Sequence, residues 1–261
     1  MTWTRDPLRA DLRAQAEVLN RRLYDDNPDI DWNLVELLRP QIDAVSHEMG
    51  YDDEYRENWQ RHRFRLAASI VGLRKLLREG DTALELGGTD VASILLRAHF
   101  PGVEWNISSW DLRSAWPCES ESYDAVVSME VLEHLSDLPC GFNEHLDFSG
   151  LKTCLDECHR ILRRGGRMFV TTPNAASIVC LRQILFGSTA VFYSPHIREY
   201  ARDNLEAAVR SAGFIIESMR AVHCLSLATH LDHTSIFEVL LAFGLPTADR
   251  GDDWFIVARK G

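Results

Sequence analysis

The spacing of apolar positions changes several times along this chain, and each change marks an element. From Asp6 to Leu77 the spacing is helical, with no convincing strand. Leu8, Leu12, Ala16 and Leu19 form one stripe. After a break at Asn27-Pro28-Asp29, Trp32, Val35, Leu38 and Ile42 form a second, and Phe64, Ala67, Ala68, Val71 and Leu76 mark a third helix from about Tyr55 to Leu77. Glu79-Gly80-Asp81 stops that helix with glycine just past its end. Residues 1–79 therefore read as an N-terminal helical arm, followed by a second unit over 80–261.

Beyond residue 80 short apolar runs alternate with helical stripes. Thr82 to Leu86 (TALEL) reads as a strand, and Val91, Ile94, Leu95 and Ala98 as a helix. Val103 to Ile107 and Ala125 to Val127 are further strands, the latter a continuous apolar run of the kind found in the middle of a parallel sheet. Leu151, Leu155, Cys158 and Leu162 line a helix expected to end at Gly165-Gly166, and Arg167 to Thr171 follows as a strand. Ala175 to Phe186 is helical in pattern. Asp203 with Glu206 resembles a capping box for a helix burying Leu205, Val209 and Ala212 and closed by Gly213. Phe214 to Met219, a helical stretch within 223–245, and a final strand from Asp253 to Arg259 complete the chain. Alternation of this kind predicts an α/β fold with a mostly parallel sheet.

Composition narrows the partners. A formal charge of −11 argues against a protein whose affinity rests on neutralising phosphates, so nucleic acid is disfavoured. The basic run Arg56, Arg61, Arg63 and Arg65 stands beside Asp52, Asp53, Glu54 and Glu57 and reads as a solvated mixed-charge helix. Apolar runs fall short of the roughly 20 residues a membrane span needs, and the N-terminus is charged, so a cytoplasmic protein is expected. Six cysteines without a CxxC pair read as reduced core thiols; Cys154, Cys158 and His159 lack a fourth partner for a zinc site.

Candidate chemistry concentrates in Ser122 to Leu135 (SYDAVVSMEVLEHL). After the strand, Val131, Leu132 and Leu135 fall at helical spacing, which places Glu130, Glu133 and His134 on one face of a first helical turn. The end of a parallel strand is where open α/β sheets bind ligands. An acidic first turn also complements the helix dipole, a purely structural alternative.

The other chemical signal is the turn Gly87-Gly88-Thr89-Asp90. Strand, glycine turn and helix form a nucleotide-binding opening, but the third glycine of a dinucleotide fingerprint is missing. Asp90 also brings negative charge to the helix start, where a pyrophosphate would lie. An adenosine ligand without phosphates meets neither objection, and a cationic one gains from Glu85 and Asp90.

Taken together, LELGGTD, SYDAVVSMEVLEHL, ECHRILRRGGRMFVTTPN, HIREYARDNLEAAVRSAGF and DWFIVARK resemble the class I S-adenosylmethionine-dependent methyltransferases from about Leu77 to Lys260. The resemblance implies a Rossmann-like, mostly parallel sheet with an antiparallel last strand. The chain between the first sheet helix and Asp124 is too short for the usual two strands plus helix, so the sheet is expected to lack about one βα unit. By the same resemblance Glu85, Gly87 and Gly88 line the methionine and ribose of the cofactor, and Met129 and Glu130 lie beside its sulfonium and adenine. NISSWDL aligns in two ways. If it ends the second strand, Asn106 stands where an acid grips the ribose; if the third, Asp111 stands where a carboxylate meets the adenine amine.

Glu130, Glu133, His134 and a downstream His196, in SPHIREY, further resemble the metal-binding pattern of two metal-dependent O-methyltransferase groups, those acting on ubiquinone precursors and on small-RNA 2′-hydroxyls. Such a resemblance implies a divalent ion, with manganese, iron, cobalt or zinc suiting two imidazoles better than magnesium. In the metal-free alternative His134 acts as the base, with His196 on the substrate loop. The expected activity is methylation of a hydroxyl on a small acceptor, a sugar or secondary metabolite. N- or carboxylate methylation without metal and a non-catalytic adenosyl-ligand-binding protein stand as alternatives. Trp110, Tyr193 and Tyr200 are candidate walls of the acceptor site, with His145, His230 and His233 ranked below His134 and His196. The arm, with Trp32, Leu34, Leu37 and Leu38, is suited to pack over the site or across a homodimer.

Overall fold

A computed structural model describes residues 7–24, 27–137, 148–187 and 196–261. Three helices come first, α1 (Pro7–Tyr24), α2 (Trp32–Glu48) and α3 (Asp53–Leu73). Asp31 and Asp52 cap the second and third by accepting from Leu34 N and Tyr55 N, at 3.1 and 2.8 Å. The third helix ends four residues earlier than its apolar stripe implies; Arg74 to Leu76 continue as turns, so the buried Leu76 is delivered by a turn and not by the helix.

The sheet comprises β1 (Thr82–Leu86), β2 (Glu104–Ile107), β3 (Tyr123–Met129), β4 (Leu162–Pro173), β5 (Phe214–Val222) and β6 (Asp253–Lys260). Among the described residues it is six-stranded, in the order β2-β1-β3-β4-β6-β5. The pairings β1–β2, β1–β3 and β3–β4 are parallel, whereas β6 is antiparallel to both β4 and β5. The expected α/β class, the antiparallel last strand and the shortened sheet all hold. Residues 108–122 form turns and bends, leaving β2 as the edge strand beside β1. NISSWDL accordingly ends the second strand.

Among the described residues six further α-helices follow: α4 (Val91–His99), α5 (Ser149–Ile161), α6 (Ile178–Leu185), α7 (Arg202–Ser211), α8 (Leu225–Thr229) and α9 (Thr234–Ala242). Two helix ends differ from the sequence pattern. The α5 helix stops at Ile161, and Gly165, with φ +77°, lies inside β4 because Leu162 already pairs with Tyr123 of β3. Asp203 sits within the first turn of α7, and its cap is Ala201, which has no side-chain acceptor.

Burial on both faces explains the continuous apolar strands. Ala83, Ala125, Val127 and Phe169 pack with α2, α3 and α4 on one face; Leu84, Val126, Met168 and Val170 pack with α5 and α7 on the other. Helices of the arm thus share one core with the sheet, and a smaller cluster joins α1, α6 and α9. The chain reverses its winding direction between β1 and β3, which opens a crevice at their carboxyl ends. Among the described residues no helix is long and apolar enough to cross a membrane.

Candidate active site

A cavity of about 460 Å³ occupies that crevice. Its floor is the end of β1 with Gly87 and Gly88, one wall runs from Met129, the last residue of β3, to Val131, and its roof is α3, through Tyr55, Asn58, Trp59, His62, Arg65 and Leu66. His134, His196 and Asp253 close the far side. The glycine turn and the histidines therefore share one enclosure of a size that suits a small-molecule site.

Both turn glycines have the positive φ their residue type permits, +102° at Gly87 and +93° at Gly88. Gly87 has a second constraint, since an added Cβ would lie 2.7 Å from Val131 Cγ2. Asp90 is occupied as the cap of α4, accepting from Ser93 N at 2.8 Å. Ser93 Oγ in turn donates to Glu85 Oε2 at 2.7 Å. Burial pushes the Glu85 carboxyl up to about 7, against the lowering effect of that hydrogen bond.

Asn106 and Asp111 lie outside the cavity lining. Asn106 is exposed on the edge strand, and Asp111 is exposed and bonded to Arg113, whose hydrogen bonds hold its carboxyl down at about 2. The residue after β2 that touches the glycine turn is Ser108, whose Oγ accepts from Gly87 N at 3.1 Å.

Past β3 the expected helix is reduced to a single 3₁₀ turn, Leu132–His134, preceded by Glu130 in a left-handed conformation with φ 56°. Glu130 therefore diverges from the face that Glu133 and His134 share. Its Oε2 pairs with Arg65 Nη1 at 2.8 Å, so Arg65 is no member of a solvated face. Burial opposes the Arg65 charge, but Glu130 and Asp253 outweigh it and its pKa is raised. Asp253 is buried next to them, and burial, then the charge on Glu130, pushes its carboxyl well above the usual range.

Glu133, His134 and His196 do meet, with one ligand atom of each within 4.8 Å of the others. Glu133 Oε1 lies 4.0 Å from His134 Nε2 and 3.9 Å from His196 Nε2. Its other oxygen accepts from Thr172 Oγ1 at 2.9 Å, and its backbone carbonyl accepts from Ile197 N and Arg198 N at 2.9 and 3.3 Å. The second set of bonds is what brings His196 to the cluster. Glu133 Oε1 is buried without a hydrogen-bond partner, and burial followed by the charge on Glu130 pushes the carboxyl well above the carboxylate range. A buried carboxylate oxygen facing two imidazole nitrogens is a donor set that fits a divalent cation. His196 Nδ1 also lies 3.0 Å from Glu199 Oε1.

Other sequence candidates fall elsewhere. Tyr200 is buried and donates to Leu132 O at 2.9 Å, Trp110 packs on Trp116, His230 stacks on Tyr24, and His233 is buried as the cap residue of α9. Tyr193 and His145 lie outside the described residues. Residues that pattern reading passed over include Trp59 and His62 on α3, together with Glu199 and Asp253. A half-buried His62, held neutral by burial with a pKa of about 3, interrupts the charged face of α3 and was its one sequence clue.

Sheet order, antiparallel last strand and a cavity above the glycine turn define the Rossmann-like methyltransferase class. The match of residues 59–219 to the family described as "Methyltransferase domain" is decisive, and the chain belongs to that family. Ubiquinone biosynthesis O-methyltransferase of Chelativorans sp. (strain BNC1) is 26% identical over 164 residues, covering 60% of this chain and 54% of that protein. The chain thus spans about half the length of this curated relative. Among solved structures, a SAM-dependent methyltransferase from Archaeoglobus fulgidus superposes with a TM-score of 0.55 at 15% identity, covering 80% of this chain and 100% of that one. A methyltransferase solved in complex with the Haloferax volcanii Trm112 activator gives 0.50 at 17% identity, covering 84% and 96%. Both are likenesses of fold.

Proposed function

We propose that this chain transfers a methyl group from S-adenosylmethionine to a hydroxyl of a small acceptor, a sugar or secondary metabolite, assisted by a divalent ion held by Glu133, His134 and His196. The observation that carries the reading is the orphaned, buried Glu133 Oε1 facing two imidazoles inside the same cavity as Gly87 and Gly88. Membership of the methyltransferase-domain family and the curated relative's O-methyltransferase name support it.

Methyl transfer from a sulfonium is an in-line displacement, so the protein must place donor and acceptor and dispose of the hydroxyl proton. Glu133, His134 and His196 would hold the divalent ion, which when bound would lower the pKa of an acceptor hydroxyl. Glu85 and the glycine turn bind at one end of the cavity. At the other, His134 lines the cavity with its side chain 40% exposed and serves as a ligand to the ion; only in the metal-free alternative is its lone pair available to take the proton. Trp59, His62 and Leu66 of α3 roof the space between and limit water. The cavity volume and the charge of −11 favour a small acceptor over a nucleic acid.

Calorimetry with S-adenosylmethionine and its demethylated product tests the binding step: titrations without heat for either ligand identify a non-catalytic protein. Exhaustive chelation tests the ion. Turnover is expected to vanish and to return with manganese, cobalt or zinc, and full activity in chelator would instead select methylation by His134 alone.

A further inference from the structure

Behind His196 lies a buried chain of side chains that the reaction does not touch. Glu199 has a side chain only 1% exposed, and its Oε1 sits 3.0 Å from His196 Nδ1. Its Oε2 accepts from Cys180 Sγ at 3.2 Å. Cys180 is fully buried in the first turn of α6, where its backbone N–H donates to Ser177 Oγ at 3.1 Å. Burial pushes its thiol up to about 12, so the sulfur keeps its proton and acts as a donor.

We infer that Glu199, braced by Cys180, is a positioning residue that fixes His196 as the Nδ1–H tautomer and turns the Nε2 lone pair toward Glu133. The argument is one of donor and acceptor capacity. A carboxylate oxygen 3.0 Å from a ring nitrogen accepts from it, so that nitrogen carries the hydrogen, and in the neutral ring the other nitrogen is the one with the lone pair. That nitrogen is the one 3.9 Å from Glu133 Oε1. A metal ligand needs this tautomer, because a protonated Nε2 has no electron pair to offer. Cys180 serves the same end one step out: its thiol donates to Glu199 Oε2, the oxygen of the carboxylate other than the one that meets the imidazole. Cys180, which composition marks as a small core hydrophobe, thus belongs to the polar support of the site. The inference rests on the reading of His196 as a site residue and adds what sets its orientation.

The test uses two-bond proton–nitrogen spectra of the histidine rings in the full-length, chelator-treated protein at about pH 8, with His196→Gln locating the His196 signals. Wild type is expected to show His196 as Nδ1–H. Glu199→Gln, nearly isosteric but able to donate, is expected to shift the ring toward Nε2–H and to weaken cobalt(II) binding, followed by its absorption bands, by about 10- to 100-fold. Cys180→Ala should shift the tautomer in the same direction and Cys180→Ser should restore it, a rescue that simple packing would not produce. Thermal melts establish that each variant folds, and if Glu199→Gln does not, the alanine and serine pair decides. A wild-type His196 protonated on Nε2, an unchanged tautomer in Glu199→Gln, or identical behaviour of Cys180→Ala and Cys180→Ser overturns the inference. Wild type with the expected tautomer but no cobalt spectrum upholds the positioning role and removes the metal from the function proposed above.

Discussion

Arg65 Nη1 lies 2.8 Å from Glu130 Oε2, so a helix of the N-terminal arm supplies the counter-charge for the carboxylate that follows β3. The pair closes the cavity between roof and sheet. It also holds Glu130 apart from Glu133, although the two are only three residues apart in the chain.

Removing the arginine leaves Glu130 and the buried Asp253 without their cation. Arg65→Met is expected to destabilise the protein by about 3 kcal/mol, the scale on which breaking a largely buried ion pair is felt. Urea unfolding measures it, and the double variant Arg65→Met/Glu130→Met should recover most of the loss. A cost near zero for the single variant would show that the pair contributes little.

The two turn glycines should respond differently to alanine. Gly87→Ala combines a positive φ with a Cβ placed 2.7 Å from Val131 Cγ2, whereas Gly88→Ala meets open space and only backbone strain. Strain alone costs about 1 kcal/mol or somewhat more. Gly87→Ala is therefore expected to lose more stability and to abolish S-adenosylmethionine binding, with Gly88→Ala intermediate in both calorimetry and unfolding. The reverse ranking would mean that Val131 yields freely.

Glu85 carries a pH signature. Its folded-state pKa of about 7 stands above the ordinary 4.5, so between those values the folded state binds more protons than the unfolded one. Its contribution to stability is therefore present below about pH 4.5 and falls as pH rises to about 7, by no more than about 1.4 kcal/mol per pH unit. Glu85→Gln should flatten that part of the stability profile. A cationic ligand beside Glu85 favours the ionised form, so affinity for S-adenosylmethionine is expected to rise between pH 6 and 8 in wild type and to lose that rise in Glu85→Gln. A pH-independent affinity in wild type would separate Glu85 from the cofactor.

Thr172 steadies Glu133 from the end of β4. Thr172→Val removes the bond to Glu133 Oε2 while keeping the shape of the side chain, and is expected to weaken divalent-ion binding by about tenfold or more with a stability change of about 1–2 kcal/mol. Ion titration and unfolding on the same variant separate the two effects. Unaltered ion affinity would place the metal away from Glu133.

Much of the fold was legible because its signals are local. Strand runs such as Ala125–Val127 are apolar throughout because both faces of the sheet are covered, and the length of chain between α4 and β3 left room for a single strand. Helix ends were less so. Gly165 reads as a helix stop in sequence, yet α5 had already ended where Leu162 found a strand partner, a long-range pairing that no glycine records. Within the site, Glu133 and His134 were visible because they are neighbours in the chain. The role of Arg65 was hidden in a charged run of which Arg56 and Arg61 do lie in the solvent-facing pairs expected of them, with Asp53 and Glu57.

What the amino-acid pattern determined by itself is the class of fold, the glycine turn and the stretch from Met129 to His134, since each follows from hydrophobic period or backbone permission within a few residues. Tertiary structure alone decided which of the carboxylates in that stretch faces the histidines. A left-handed Glu130, claimed by an arginine 65 residues earlier, is turned away, and His196 is brought to Glu133 from 63 residues later by backbone bonds to that glutamate. Those choices depend on charge compensation and hydrogen bonding between distant segments in a buried space, which spacing along the chain does not encode.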